Sequence, residues 1–448
     1  MNSLSFDTIA AQATPSGRGG VAIVRISGSQ VKSIITTMLK SNLIPRQATY
    51  QPFYDTTNQV LDEGIAIFFP SPHSFTGEDI LELHSHGGPI VVDLLLQCVL
   101  TLGARLARPG EFSERAFING KMDLTQVEAI ADLINASSKQ AAKSAIRSLQ
   151  GEFSKKIHQL NEQIIDLRTY IEAAIDFATE EIDFLSDDAI SIRFETILNT
   201  LSLIQQQAKQ GSLLREGIVA VIMGEPNVGK SSLLNCLSGK EIAIVTDIPG
   251  TTRDVLCDDI LIDGIPMHII DTAGLRESDD VIEQEGIRRA YREMERADVV
   301  LYVMDARKQI EINLNQLPAA LSQCSIVFIR NKIDLTNEAP SISTKNKVVI
   351  SLSAKDRLGI DLLKNYIKTR VGFKEEIESV FLARRRHLDA LSRAKTYLKA
   401  SFAQLKSCAG ELAAEDLRLA HLTLNEITGQ FTSDDLLGHI FSSFCIGK

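Results

Sequence analysis

Gly224-Glu225-Pro226-Asn227-Val228-Gly229-Lys230-Ser231 decides how the rest of this 448-residue chain is read. An apolar run, Ile218 to Met223, leads into it, and Ser232-Leu233-Leu234-Asn235-Cys236-Leu237 follows with helical spacing. Strand, glycine-rich loop and helix is the order a phosphate cradle needs. The glycines let backbone N–H groups curl around an anion, and the helix offers its positive dipole end. Lys230 is placed to reach the β- and γ-phosphates and Ser231 to ligate Mg²⁺, with Asn227, Val228, Gly229 and Ser232 completing the nucleotide contacts. A surface turn of Gly and Lys is the bland alternative. The agreement of strand, loop and helix counts against it.

The segments that follow come in the order of a Ras-like GTPase. Thr246-Asp247-Ile248-Pro249-Gly250-Thr251-Thr252-Arg253-Asp254 fits a first switch, with Thr252 completing the Mg²⁺ shell. Asp271-Thr272-Ala273-Gly274 ends an apolar strand, so Asp271 can hold Mg²⁺ through water and Gly274 can sense the γ-phosphate. Asn331-Lys332-Ile333-Asp334 ends the strand Ile326 to Arg330, and the Asp334 carboxylate can accept the N–H groups of guanine N1 and N2, which adenine does not offer. Ser353-Ala354-Lys355 follows Val348-Val349-Ile350 and backs the base. Any one of these matches could be chance; all of them in order, each ending a strand, point to GTP. One departure stands out. Ras-like proteins place a water-orienting glutamine after Asp-Thr-Ala-Gly, and here that position is Leu275. Glu277, Asp279, Asp280, Glu283 and Glu285 are the nearby candidates to orient water instead.

Size and composition set the frame. A chain of 448 residues has room for about three domains, and 44% hydrophobic with 23% charged residues is ordinary globular composition. No run of eighteen apolar residues predicts a membrane span, and Met1 to Asp7 lacks the basic start and apolar core of a signal peptide. The six cysteines, at 98, 236, 257, 324, 408 and 445, show no paired spacing, which fits buried thiols in a reducing cytoplasm. A net charge of −10 argues against a nucleic-acid-binding surface over the whole molecule, though not against a local patch.

Residues 1–120 read as an α+β domain. Val21–Ile26, Gly64–Phe69 and Ile80–His84 have strand character, and residues 90–102 form an apolar helix ending at Gly103. Gly17-Arg18-Gly19-Gly20 precedes a strand rather than a helix, so a tight turn is expected there. His84-Ser85-His86 is expected to turn into Gly87-Gly88 rather than bind metal, having no matching Cys or carboxylate spacing. Arg25 and Glu82 sit inside strand-like runs, where charge is costly unless paired; they form either a structural ion pair or a polar ligand pocket. Residues 121–215 are helical, with Ile157, Leu160, Ile164, Leu167, Ile171 and Ile175 on one face and an acidic loop at Glu180-Glu181-Ile182-Asp183 and Asp187-Asp188. Residues 376–448 are helical again, with Leu388, Leu391, Ala394 and Leu398 aligned. The simplest architecture packs the two helical stretches together and inserts the nucleotide module, residues 216–375, between them. Arg384-Arg385-Arg386-His387 is expected on a solvated helix face, with RNA phosphates as the sharper alternative.

Beyond this the chain resembles the MnmE (TrmE) family of tRNA-modification GTPases. The matching features are Phe75-Thr76-Gly77-Glu78-Asp79 with His86-Gly87-Gly88, the run Arg108 to Phe117, the inserted GTPase module and the terminal Phe444-Cys445-Ile446-Gly447-Lys448. The resemblance implies a multi-domain α/β fold with an N-terminal α+β folate-binding-like domain, an α-helical domain and an inserted Ras-like P-loop GTPase domain. It implies a homodimer joined through the N-terminal domains, a FAD-containing partner, MnmG, and modification of C5 of the wobble uridine of certain tRNAs. By position it implies that Arg25, Glu82, Lys121 and Lys448 bind a one-carbon tetrahydrofolate. Asn227, Thr246, Ile248 and Thr251 would hold K⁺, and Glu283 would orient the attacking water that Leu275 does not. Pro249 departs from the small residue usual in the family, with little consequence expected. Cys445 is a candidate nucleophile, although a buried structural cysteine is the commoner case. The competing reading is a ribosome-assembly switch of the Era or Der type. Such proteins commonly append a basic RNA-binding module, which this chain lacks.

Overall fold

The computed structural model describes residues 7–176, 188–238, 257–271, 297–308, 324–344, 347–373, 380–407, 409–430 and 434–442, with Met294, Glu295, Leu321, Phe444 and Gly447. Its elements run β1 (Ile9–Gln12), β2 (Gly19–Ser27), α1 (Val31–Leu39), β3 (Thr49–Tyr54), β4 (Val60–Phe69), β5 (Ile80–Gly87), α2 (Pro89–Thr101), β6 (Arg105–Leu106), α3 (Glu111–Ile118), α4 (Leu124–Ile134), α5 (Lys139–Leu149), α6 (Glu152–Asp176) and α7 (Asp188–Glu216). The nucleotide module follows with β7 (Ile218–Met223), α8 (Lys230–Ser238), β8 (Cys257–Ile262), β9 (Ile265–Asp271), β10 (Val299–Asp305), β11 (Ser325–Asn331), β12 (Ser341–Ser343), β13 (Val348–Ser351) and α9 (Ile360–Val371). Helices α10 (Arg385–Lys406), α11 (Gly410–Thr428) and α12 (Asp434–Ser442) close the chain. Two compact units result: residues 1–131 with 425–448, and residues 132–424.

In the first unit a six-stranded sheet has the order β3-β4-β5-β2-β1-β6, antiparallel except where β1 meets β6. Strand alternation sorts its faces. Val24, Ile26, Leu81 and Leu83 point to one side, where α1 and α2 bury Ile34, Met38, Leu95 and Val99 against them. On the helix-free register positions between them stand Arg25 and Glu82, directly opposite each other across β2 and β5. The end of the chain belongs to this unit: Ile440, Phe441 and Phe444 pack on Leu124 and Val127. Strand β5 continues through His84-Ser85-His86 to Gly87, correcting the expected turn. Gly87 lies opposite Gly19 on β2, and a Cβ on it would stand 2.4 Å from the Gly19 carbonyl oxygen, so glycine here permits close strand approach.

In the second unit a seven-stranded sheet has the order β12-β13-β11-β10-β7-β9-β8; its interior pairs are parallel and its edge strands β12 and β8 antiparallel. Parallel strands buried on both faces need apolar residues at successive positions. Accordingly Ala220, Ile222, Leu301 and Val303 face α8 and α9, while Val221, Met223, Val300 and Ile270 pack on the other side. The helical portion shows the stripe read from sequence: Ile157, Leu160, Ile164, Leu167 and Ile171 are fully buried. Phe153 stacks on Phe381 with centroids 4.3 Å apart, and Phe194 meets Phe402 at 5.0 Å. The basic run at 384–387 is not a uniformly solvated face. His387 is buried with its ring edge-on to Phe153, because it closes the α10 N-terminus by accepting the Arg384 backbone N–H, and Arg384 is paired with Asp132 at 2.9 Å.

Candidate active site

The C-terminal ends of the parallel strands gather the described members of the nucleotide set expected from sequence around β7, where the strand order turns back on itself. Gly224 follows β7, Asp271 ends β9, Asn331 ends β11, and Ser353 lies two residues past β13. Gly224 has φ +142° and sits so near β10 that a Cβ would stand 2.1 Å from the Val303 carbonyl oxygen. Gly229, with φ +95°, would put a Cβ 2.4 Å from the Asn331 amide nitrogen. Both positions require glycine for conformation and for space.

Asn331 ties three loops together. Its Nδ2 donates to the Val228 carbonyl at 2.9 Å, while its Oδ1 accepts the Lys332 N–H at 2.8 Å and the Ala354 N–H at 3.0 Å. Lys332, in the left-handed region at φ +70°, reaches back with Nζ to the Asn227 carbonyl at 2.7 Å. The Gly224–Ser231 loop, the Asn331–Asp334 turn and the Ser353–Ala354 loop are thereby one hydrogen-bonded assembly. Asp334 accepts the Ser353 hydroxyl on Oδ1 at 2.6 Å, and its Oδ2 takes no hydrogen bond among the described residues. Lys355 is exposed.

Asp305, at the end of β10, was not singled out by sequence, although it ends an apolar strand just as Asp271 and Asn331 do. It accepts Arg307 at 2.7 Å and Lys332 Nζ at 3.0 Å, and hydrogen bonds from Arg307 above all hold its carboxyl well below the usual range. That anion anchors the lysine that bridges to the phosphate loop. Across the loop, Glu225 pairs with Lys308.

The donor set fits a Mg²⁺-bound triphosphate. Lys230 opens α8 and donates to the carbonyls of Gly224 and Glu225 at 2.8 and 3.0 Å, so its ammonium is held over the loop. Ser231 and Ser232 expose hydroxyls in the first helical turn, where orphan N–H groups and the dipole favour an anion. Asn227 holds φ +62°, and its side chain makes no hydrogen bond among the described residues. Thr246, Asp247, Ile248, Pro249, Gly250, Thr251, Thr252, Thr272, Ala273, Gly274, Glu283, Cys445 and Lys448 lie outside the described residues.

A second cluster lies in the first unit. Arg25 pairs with Glu82 at 2.9 Å, and its guanidinium stands 5.5 Å from the Phe75 ring centre and 5.8 Å from that of Phe112. Of the two alternatives raised by sequence the ion pair is the one seen, its side chains 22% and 15% exposed, with Phe112 beneath it fully buried. His84 approaches Glu82 at 3.4 Å and His86 bonds Asp62 at 2.8 Å, so each histidine has a carboxylate partner; no three-residue metal-binding group occurs among the described residues. Lys121 donates to the Pro72 carbonyl at 3.0 Å rather than to Arg25's cluster. Gly447 presses on β1, where a Cβ would stand 2.1 Å from the Gln12 carbonyl oxygen, one residue along from Ala11, the strand partner of Arg25.

The charge network beneath was invisible in sequence. Arg115, 1% exposed, binds Asp7, Glu78 and Glu111 at 2.9–3.1 Å, and Arg105 also grips Glu111. Burial alone would raise the Glu111 carboxyl, but Arg105, the Arg108 backbone N–H and Arg115 outweigh it and hold it at about 2.

A family profile described as the GTP-binding protein TrmE N-terminus matches residues 8–121, and one described as the MnmE helical domain matches residues 124–445. The tRNA modification GTPase MnmE of Coxiella burnetii is 57% identical, covering 99% of this chain and 99% of its own. The chain belongs to the MnmE (TrmE) family of tRNA-modification GTPases. The MnmE of Vibrio cholerae is 56% identical over 99% of this chain and 100% of its own. Among solved structures, Era of Aquifex aeolicus bound to GDP·AlF4⁻ is similar at 24% identity and a TM-score of 0.25, over 40% of this chain and 66% of that one. As an MnmE-family GTPase the chain is a GTP hydrolase that uses Mg²⁺. No described helix is long and apolar enough to cross a membrane.

Proposed function

We propose that the chain hydrolyses GTP in the cytoplasm to drive modification of C5 of the wobble uridine of certain tRNAs, acting as a homodimer with the FAD-containing MnmG protein and a one-carbon tetrahydrofolate. The observation that carries the nucleotide part is the Asn331 assembly. A single buried amide fixes the loop that would hold phosphates against the turn that would read guanine, so base recognition and phosphate positioning move together. Lys230 would neutralise the β- and γ-phosphates, Ser231 and Thr252 would ligate Mg²⁺, Asp271 would hold it through water, and the unpaired Oδ2 of Asp334 would accept from guanine. Thr246 to Thr251, Thr272 to Gly274 and Lys355 would line the rest of the site.

With Leu275 where Ras-like proteins carry glutamine, the proposal gives water orientation to Glu283 and stabilisation of developing charge to K⁺. Asn227, whose amide has no partner among the described residues, would hold K⁺ with Thr246, Ile248 and Thr251. The dimer would form through the first unit, where Val21, Tyr50, Val60 and Ile90 leave apolar area exposed. Arg25 and Glu82, with Lys121 and Lys448, would take the folate: a carboxylate suits pterin N–H donors, and cations suit the glutamate tail. Phe75, half-buried beside Arg25, would supply a flat apolar wall for such a ring. Cys445 is kept as a candidate nucleophile. The working domains are 1–120, 121–215, 216–375 and 376–448, the second and fourth forming one helical domain.

The test is hydrolysis at matched ionic strength in K⁺ and in Na⁺. Strong stimulation by K⁺, lost in Asn227→Ala, with Glu283→Ala binding GTP but turning it over poorly, is expected. Equal rates in both salts, with Arg253→Ala inactive instead, would replace the cation by an arginine.

A further inference from the structure

The geometry points to His268 as a positioning residue for GTP hydrolysis: as the imidazolium it clasps the C-terminal end of α7 to the β8–β9 hairpin whose last residue is Asp271. The ring lies between two acceptors. Nδ1 is 2.5 Å from Asp259 Oδ1 on β8, and Nε2 is 3.1 Å from the Glu216 carbonyl oxygen, the last of α7. A neutral imidazole has one N–H and one lone pair, so it can satisfy only one of these oxygens. The imidazolium donates to both. A cation there also faces the negative end of a 29-residue helix.

The backbone is shaped around this contact. Gly217, at φ +74°, returns its N–H to the Leu213 carbonyl at 3.0 Å and ends α7; a Cβ on it would stand 3.0 Å from His268 Nε2 and 2.8 Å from the Pro266 oxygen. The next residue begins β7, which runs to the phosphate loop. His268 pairs with Val219 and Asp271 with Ile222 along the same β7–β9 ladder. The clasp therefore fixes the start of β7 and the middle of β9, neighbouring strands whose far ends carry the phosphate loop and Asp271. The hairpin tip is held to the same helical portion by close contact of Gly264 with Gln140 of α5, and to α9 by the Asp263–Lys368 pair at 2.7 Å. Among the described residues the charged groups around the ring are Asp259 on β8 and Glu216 on α7, with Lys209, Glu295, Asp298 and Arg385 lining the same cleft.

The inference rests on the assignment of Asp271 to the Mg²⁺ site. The doubly donating ring is the protonated one and the neutral ring keeps a single donor, so the clasp's contribution to turnover is larger at acid than at alkaline pH. The test measures kcat, KM for GTP and Mg²⁺ dependence of the full chain from pH 6 to 8.5, for the unchanged protein and for His268→Phe, His268→Gln, Asp259→Asn and Asp271→Asn. Removing a helix-end cation is expected to lower kcat or Mg²⁺ affinity by roughly threefold or more at pH 6 in His268→Phe, with the gap closing at pH 8.5 and KM little changed. His268→Gln, which keeps one donor at every pH, should lie between and lose the pH dependence. Asp259→Asn repeats the test from the other partner should His268→Phe not fold. Identical pH profiles for the unchanged protein, His268→Phe and Asp259→Asn would overturn the clasp while Asp271→Asn still loses Mg²⁺ dependence. Unaltered Mg²⁺ dependence in Asp271→Asn would overturn the assignment of Asp271, and the clasp's role with it.

Discussion

Replacing Asn331 with Ala removes one donor and one acceptor that three loops share. Val228, Asn331 and Ala354 are 4%, 2% and 3% exposed, so water cannot readily take the amide's place. The substitution strands the Val228 carbonyl and the Ala354 N–H, and leaves the Lys332 N–H to find another partner. Each buried group left unpaired costs about 1–3 kcal/mol, so two together cost about 2–6 kcal/mol. Part of this falls on global stability and part on the geometry that nucleotide binding requires. A share of about 1.4 kcal/mol in binding alone is tenfold in affinity. Urea unfolding of the nucleotide-free protein, together with GDP titration by fluorescence, separates the two shares. A loss of stability under about 0.5 kcal/mol, the level of an ordinary surface change, with GDP affinity unchanged, would refute the hub.

The other expectations are independent of that one. Asp334→Asn should weaken GTP by about 1.5–3 kcal/mol by removing a charged acceptor and should shift preference toward xanthine nucleotides; equal GTP affinity in the variant would show that Asp334 does not meet the base. Glu111 is held at about 2 against an ordinary 4.5, so it stabilises the first unit fully above about pH 4.5 and loses that contribution as pH falls toward 2. The linked stability is about 3 kcal/mol, and Glu111→Gln should flatten the acid limb of a chemical-denaturation series between pH 5 and 2, a limb unchanged in the variant counting against the network. Arg25→Ala should lower affinity for 5-formyltetrahydrofolate in calorimetry while GDP binding stays intact; unchanged folate affinity would remove Arg25 from the pocket.

How far the sequence could be read depended on whether partners lie close along the chain. The β7, loop and α8 order is local, and the glycines at 224 and 229 stand where the backbone needs φ +142° and +95°. The stripe from Ile157 to Ile171 is equally local, repeating every three or four residues. Arg25 and Glu82 were noticeable because charge inside a strand is rare, but that they face each other depends on a register joining residues 57 apart. Arg115 is the opposite case. Its partners Asp7 and Glu78 lie 108 and 37 residues away, and nothing local marks it as buried. At His84-Ser85-His86 the glycines that followed suggested a turn, whereas Gly87 is there because β2 and β5 come too close for a side chain. His387 was submerged in a basic run, its burial set by the Phe153–Phe381 stack of distant segments.

The most direct measurement is nucleoside analysis of tRNA from a strain in which this chain is replaced by its Lys230→Ala form. Lys230 is held over the phosphate loop by the Gly224 and Glu225 carbonyls, and on the proposed reading its loss removes the cation over the β- and γ-phosphates while leaving the residues of the first unit unchanged. If GTP hydrolysis drives the modification, the C5-modified wobble uridine disappears in that strain and returns with the unchanged chain. A normal wobble-uridine profile in the Lys230→Ala strain, with hydrolysis abolished in the purified variant, would contradict it.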